Sequence, residues 1–187
     1  AALYISEIDN AIIEIDNEEV PIMDGSAFDF LKVFQSTKIL KLPQKRKYLK
    51  IKNKVELKNG ERKIFIEPNE FSLKIDFKLN YKNKVIGNQR NIVDFQLDDL
   101  VNVYKSRTFC LLEDVEKIKK LGLAKGGNLQ NALVVNEEKV LNDGGLRNEK
   151  EFVNHKILDL AGDFVLSGYR VLGKVVCEQG GHLLTNS

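Results

Sequence analysis

The sequence predicts an α+β fold built from two related units, and three features carry that prediction. Short runs with period-two alternation stand beside longer stretches with helical spacing, the mixture that places helices against a small sheet. Asn17-Glu18-Glu19 and Asn136-Glu137-Glu138 are each followed, at the same distance, by Asp-Gly (Asp24-Gly25 and Asp143-Gly144). The order strand, turn, strand, Asp-Gly break, helix therefore runs twice. Between the copies, Thr37–Lys47 is rich in lysine and carries Pro43, as a linker does. The expected division gives residues 1–43 to the last part of a first unit and residues 44–187 to a second. A similarity this short also arises by chance. A true duplication would favour a site at the interface of the copies.

In chain order, AALYISEIDN has no basic n-region and no initiator Met, so it is not a signal peptide and reads as the tail of a helix that begins earlier. Ala11–Ile15 is a short β-prone run. A turn over Asp16–Glu19, the run Val20–Met23 and the Asp24-Gly25 break follow, and Ser26 is placed to cap a helix over Ala27–Phe34. In Tyr48–Lys58, Leu49, Ile51, Val55 and Leu57 alternate with lysines and Glu56, predicting one half-buried strand. Asn59-Gly60 turns it into a return strand, Arg62–Glu67. Phe71, Leu73, Ile75, Phe77, Leu79 and Tyr81 share one face of the next strand. Ile92–Gln96 is expected to be a strand, Leu97–Lys105 a helix, and Leu111–Leu121 an amphipathic helix through Leu112, Val115, Ile118 and Leu121. A glycine-rich turn at Lys125–Asn128 then leads to a strand over Ala132–Val135.

Composition narrows the function. The 29 basic and 27 acidic residues leave a net charge of +2, which does not point to a polyanionic partner. No apolar run approaches the roughly 18 residues of a membrane span. Cys110 and Cys177 lack CxxC spacing and read as reduced thiols of a cytoplasmic protein. Lys38–Lys58 holds nine Lys or Arg with Tyr48 as its single aromatic, and its alternation makes those lysines the solvated face of a strand rather than a nucleic-acid surface.

The stretch that concentrates chemistry is Asn148–Leu166. Phe152, Val153, Ile157, Leu160, Ala161 and Phe164 recur at three- and four-residue steps, predicting a helix. On it His155, Asp159 and Asp163 form a line, each about 40° round from the last, with Lys156 beside them. Two readings stay open: a buried salt-bridge stripe, or a His and an Asp at i, i+4 reaching one metal ion. The second of only two histidines, His182, follows Gly180-Gly181 after the apolar run Val171–Cys177. It is incidental, a third ligand, or a proton donor beside a metal, and spacing alone does not choose among these.

His155-Lys156-Ile157-Leu158-Asp159-Leu160-Ala161-Gly162-Asp163 resembles the signature of the bacterial UDP-3-O-acyl-N-acetylglucosamine deacetylases, zinc enzymes of lipid A biosynthesis. The resemblance extends along the chain in the family's order. It takes in Pro21–Ala27, Ser106-Arg107-Thr108-Phe109, Gly126–Leu129, Leu141–Arg147 and Gly181-His182. It implies two similar two-layer α/β sandwich domains, the first only partly present, with the active site between them. His155 and Asp159 would be ligands of Zn2+, His182 the general acid, and Asp163 the support for its charged form. Lys156 and Phe109 would meet the substrate, a UDP-linked acylated amino sugar, and Thr108 would lie where the tetrahedral oxyanion is stabilised. Leu111–Val135 would form the passage for the acyl chain, with Leu121 and Leu123 lining it. Asp76-Phe77 matches a position near the nucleotide, although Phe77 also falls in the apolar phase of its strand. The reaction implied is zinc-dependent hydrolysis of the N-acetyl group by a cytoplasmic monomer.

Three departures from the family pattern matter. Leu111 stands where many members have Phe, and Gln179 where a Lys is common. The family's Glu-His-Leu motif, with the catalytic base and a third zinc ligand, belongs upstream of Ala1. The alternative expectation is therefore a catalytically incomplete fragment or paralogue that binds the UDP-lipid or a protein partner.

Overall fold

The structure, a computed structural model, describes residues 1–120 and 126–187, with backbone alone for residues 116, 118 and 119. At its centre is β8 (Arg170–Glu178), which pairs antiparallel with β3 (Arg62–Glu67) and parallel with β4 (Leu73–Asn80). β2 (Val55–Asn59) extends the sheet beyond β3, and β5 (Asn88–Asp94) extends it beyond β4, giving the order β2-β3-β8-β4-β5. β1 (Tyr48–Lys50) pairs parallel with Arg170–Leu172, the first residues of β8. Mixed helix and sheet make this an α+β fold.

The alternation of β4 explains why the sheet has a covered face. Leu73, Ile75, Phe77 and Leu79 are all buried, and so is Val93 opposite Ile75 on β5. Helix α5 (Glu151–Val165) lies on β4 and β5 and buries Phe152, Val153, Ile157, Leu158, Leu160 and Ala161. Each of these side chains larger than alanine contributes about 1.5–3 kcal/mol when removed from water, which makes this layer the main source of stability. The first turn of α5 is also wired to β5: Gln89 Oε1 accepts the Val153 N–H at 3.3 Å, and Asn91 Nδ2 donates to Asn154 Oδ1 at 2.7 Å. Tyr4 of α1 (Ala2–Ile5), with Ala27 just before α2 (Phe28–Gln35) and Leu31 within it, joins the same core cluster as the sheet. A second, two-stranded sheet pairs β6 (Phe109–Leu111) in parallel with β7 (Leu133–Val135). Between them, α4 covers Leu112–Lys120. The side chain of Ile118 and residues 121–125, including Leu121 and Leu123, lie outside the described residues. Among the described residues no helix is long and apolar enough to cross a membrane.

Several expectations are corrected. Tyr48–Lys58 is two strands with a break at Ile51–Lys54, because its first part pairs with β8 and its last part with β3. All of β2 is exposed, so its alternation marks no covered face. Ala11–Ile15 is not a strand; its side chains stand in solvent, Ile12 at 95% exposure. The repeat is accordingly partial: only the second copy has strand, turn and return, through β7 and the Val135–Val140 bridge. The helix expected over Leu97–Lys105 is confined to α3 (Val101–Tyr104), started by Asp99 Oδ1 accepting the Val101 N–H. β5 begins at Asn88, four residues before the expected Ile92.

What the two copies share is a glycine with positive φ ahead of a helix: Gly25 at +82° and Gly144 at +80°. Their surroundings differ. A Cβ on Gly25 would lie 2.0 Å from the Asn131 carbonyl oxygen, whereas one on Gly144 would meet nothing within 4 Å. The Gly25 loop is docked: its carbonyl accepts the Thr108 N–H at 2.8 Å, and Asp24 Oδ2 accepts from Arg147 Nη1 at 2.8 Å. Gly144→Ala should cost only the left-handed penalty, about 1–2 kcal/mol. Gly25→Ala adds a backbone collision worth about 1–3 kcal/mol more. Chemical denaturation of the two variants measures the gap, and equal losses would show that the loop is not docked.

Candidate active site

Helix α5 carries the line predicted for it, and the line begins one turn earlier than expected. Glu151, His155, Asp159 and Asp163 follow at steps of four, and of these His155 and Asp159 meet directly. His155 Nδ1 lies 3.0 Å from the carbonyl oxygen of Ser106. A carbonyl only accepts, so Nδ1 carries the proton and Nε2 is the free ring nitrogen. Nε2 faces Asp159 Oδ1 at 3.3 Å. Burial pushes the His155 pKa below its ordinary value of 6.5, against the pull of Asp159, so the ring is neutral near pH 7. A lone pair and a carboxylate oxygen therefore confront each other across 3.3 Å, an arrangement that a cation between them resolves. The donor set, one imidazole nitrogen and one carboxylate oxygen from successive turns, fits a divalent metal. Among the described residues no group of three His, Cys, Asp or Glu side chains is disposed to hold a metal ion.

Asp159 keeps its charge. Burial raises its pKa, but His155, Lys156 and His182 together bring it below the ordinary value. The contribution from His155 requires a charged ring, which burial opposes. Lys156, whose Nζ donates to Asp159 Oδ2 at 3.0 Å, is the partner that does not depend on that charge.

His182 begins the short helix α6 (His182–Thr185), and its Nδ1 lies 2.8 and 2.9 Å from the two Asp163 oxygens. That contact fixes a proton on Nδ1 and turns Nε2 towards Asp159 Oδ2, 4.0 Å away. His182 is thus beside the His155–Asp159 pair and held by a different carboxylate. The ring is 62% exposed, so a substrate has access to it.

The segment Ser106–Phe109 wraps the first half of α5. Thr108 is pinned through its main chain, its N–H donating to Gly25 and its carbonyl accepting from Leu133, both at 2.8 Å. Phe109 stands edge-on to Phe152 at 5.0 Å and to His155 at 6.5 Å, with Lys156 Nζ 5.4 Å above its ring. The structure therefore brings His155, Lys156, Asp159, Asp163, His182 and Phe109 together. It does not bring Asp76 and Phe77 to them as a pair, because adjacent residues of a strand face opposite ways. Phe77 is 2% exposed in the core beneath α5. Asp76, on the other face of the sheet, takes two bonds from Arg90, at 2.8 and 2.6 Å.

A cleft of about 1040 Å³ opens beside Lys156. Leu79, Tyr81, Leu111, Leu112 and Val135 give it an apolar wall, and its charged lining is mixed, Arg62, Lys82 and Lys84 standing with Glu113, Glu137 and Glu138. Gln179 also lines it, but its amide is occupied: Oε1 accepts the Asn80 N–H at 2.9 Å, and Nε2 donates to the Asn80 carbonyl. Sequence reasoning gave Arg62, Ser106, Arg107 and Glu151 no role at the site. Extending the four-residue step back from His155 finds Glu151, whereas Arg62 reaches the cleft through strand pairing and leaves no local signal.

The family model described as UDP-3-O-acyl N-acetylglycosamine deacetylase matches residues 1–187, the whole chain. Three relatives carry the name UDP-3-O-acyl-N-acetylglucosamine deacetylase. That of Nautilia profundicola is 41% identical over 187 residues, that of a Nitratiruptor species 40% over 187, and that of Shewanella violacea 39% over 189. Each match takes in all of this chain and 63%, 62% and 61% of the respective relative, so the chain spans less than two thirds of these curated relatives.

The Asp76–Arg90 pair yields a prediction of its own. Arg90 holds the Asp76 carboxyl below its ordinary 3.8 against the opposing effect of burial. A carboxylate with a depressed folded pKa stabilises the fold above its unfolded value and loses that contribution as pH falls through the folded one. Asp76→Asn should therefore cost about 1–2 kcal/mol at neutral pH, with Arg90 largely in solvent. The difference from wild type should close below pH 3.8. Denaturation midpoints across that range measure it, and a pH-independent difference would assign the loss to packing.

Proposed function

This chain belongs to the UDP-3-O-acyl N-acetylglycosamine deacetylase family, and on that premise we propose that the protein carrying it is a zinc-dependent deacetylase. Its reaction is hydrolysis of the N-acetyl group of UDP-3-O-acyl-N-acetylglucosamine, giving acetate and the free-amine UDP sugar for lipid A biosynthesis. The observation that carries this reading is the pair of unlike histidines on one line of acids: His155 neutral with Nε2 turned to Asp159, His182 fastened to Asp163.

In this reading His155 and Asp159 hold the zinc. The metal, when bound, supplies Lewis-acid activation of water and of the acetamide carbonyl. His182 holds a proton on Nε2 for the departing amine, while Asp163 fixes its ring through Nδ1. Thr108, immobilised at both main-chain groups, lies by the developing oxyanion. Lys156 balances Asp159 and reaches towards the cleft, where Arg62, Lys82 and Lys84 offer cations to a diphosphate beside the carboxylates of Glu113, Glu137 and Glu138. The apolar wall at Leu111, Leu112 and Val135 suits the start of an acyl chain, and Leu121 and Leu123 would continue it.

A catalytic zinc site of this kind normally takes three protein ligands. We read the remaining ligand and the catalytic base as belonging to the rest of the whole protein. The 187 residues alone are then a binding half rather than a working enzyme.

The two histidines give the test, made in the whole protein. His155→Ala should lower zinc content and activity together. His182→Ala should keep the metal and lose about 10²- to 10⁴-fold in turnover. Metal analysis with steady-state kinetics separates them, and equal zinc loss in both variants would make His182 a ligand instead. A companion measurement compares the isolated chain with the whole protein: weak zinc binding and no turnover are expected, and full turnover would refute the assignment of the site.

A further inference from the structure

We propose that Glu151 is a positioning residue for His155, acting through the single peptide group that joins Ser106 to Arg107. Glu151 is fully buried in the first turn of α5, and its carboxylate accepts four hydrogen bonds. Oε1 takes the Arg107 N–H at 3.0 Å and Arg107 Nε at 2.8 Å. Oε2 takes Arg107 Nη2 at 3.1 Å and the Arg147 N–H at 2.6 Å. A buried ion pair is a poor device for stability alone, since apolar side chains of the same volume often do as well.

What this pair does is visible at the other end of the peptide. The N–H of the Ser106–Arg107 peptide points to Glu151, and its carbonyl receives Nδ1 of His155, one helical turn along α5. In a trans peptide these two groups point in opposite directions, so α5 grips one rigid plane from two successive turns. An N–H bonded to a carboxylate also polarises its carbonyl, which becomes a stronger acceptor for the imidazole.

The consequence is a choice of tautomer. His155 has two arrangements available: Nδ1–H to the Ser106 carbonyl, or Nε2–H to Asp159 Oδ1, 3.3 Å away. The second blocks the nitrogen that faces Asp159, and the first leaves it open. By holding the carbonyl in place, Glu151 selects the open form. Outer partners of this type typically alter metal affinity by about 10–100-fold. That consequence rests on the proposed zinc site; the tautomer itself does not.

The experiment is long-range 15N–1H NMR of the metal-free whole protein at alkaline pH, with zinc affinity measured separately by competition. Wild type should show His155 protonated on Nδ1, and the opposite tautomer would overturn the proposal without any variant. Glu151→Gln removes the charge and sets an amide donor against N–H groups. It should move the ring towards Nε2–H and weaken zinc binding about 10- to 100-fold. Arg107→Lys keeps the backbone N–H on Glu151 and should retain the wild-type tautomer despite lower stability. An unchanged tautomer in folded Glu151→Gln, or an equal change in Arg107→Lys, would refute the peptide route. Absence of zinc binding in wild type would sink the metal reading and leave the tautomer result to decide this one.

Discussion

One face of α5 is buried on β4 and β5, and the site exists only because that contact fixes the rotation of the helix. Phe152, Ile157, Leu160 and Ala161 leave α5 no freedom to turn. The four-residue line from Glu151 to Asp163 consequently lies along one edge of the covered layer, where Ser106–Phe109 meets its first half and α6 its last. Packing of this density tolerates little displacement, so a shift of the helix would move every member of the line at once. The polar side chains on β5 serve the same end. Gln89 satisfies a first-turn N–H that α5 does not cap for itself, and Asn91 anchors Asn154, so the helix is set in height as well as rotation.

How much of this was legible depends on whether the signal is local. The line on α5 can be read from sequence because i and i+4 share a face whatever the helix packs against, and the apolar steps from Phe152 to Phe164 indicate the opposite face. β4 is legible for the same reason: its alternation is dictated by a core on one side. β5 was found only in its last part, because the side chains it turns to α5 at positions 89 and 91 are amides that bond to the helix instead of packing against it. The division of Tyr48–Lys58 was hidden since alternation tells which residues share a face and not which strand each will pair with. Ala11–Ile15 has the residue types of a strand and no strand beside it among the described residues, so propensity alone misled.

At the site, the histidines were legible by scarcity and their different partners were not. Nothing in the spacing of His155 and His182 says that one is backed by a main-chain carbonyl and the other by a carboxylate. That difference is what separates a ring kept neutral and open at Nε2 from one fastened at Nδ1 by a carboxylate. Glu151 carries no distinct signal because a glutamate in the first turn of a helix is ordinarily explained by the helix dipole, and its burial becomes evident only when Arg107 arrives from 44 residues away in the chain.

The end of β8 shows how the second histidine is carried. Gln179 adopts a left-handed backbone at φ 54°, donates its N–H to the Lys78 carbonyl at 3.0 Å, and spends both ends of its side-chain amide on Asn80. The strand that runs through the centre of the sheet is thereby knotted to its neighbour, and only two glycines separate the knot from His182. An arm that short sweeps a small volume. On the role proposed for His182, most of the entropy of bringing the imidazole to bear on a reacting bond is surrendered when the chain folds, and little of it is left to be lost at each turnover.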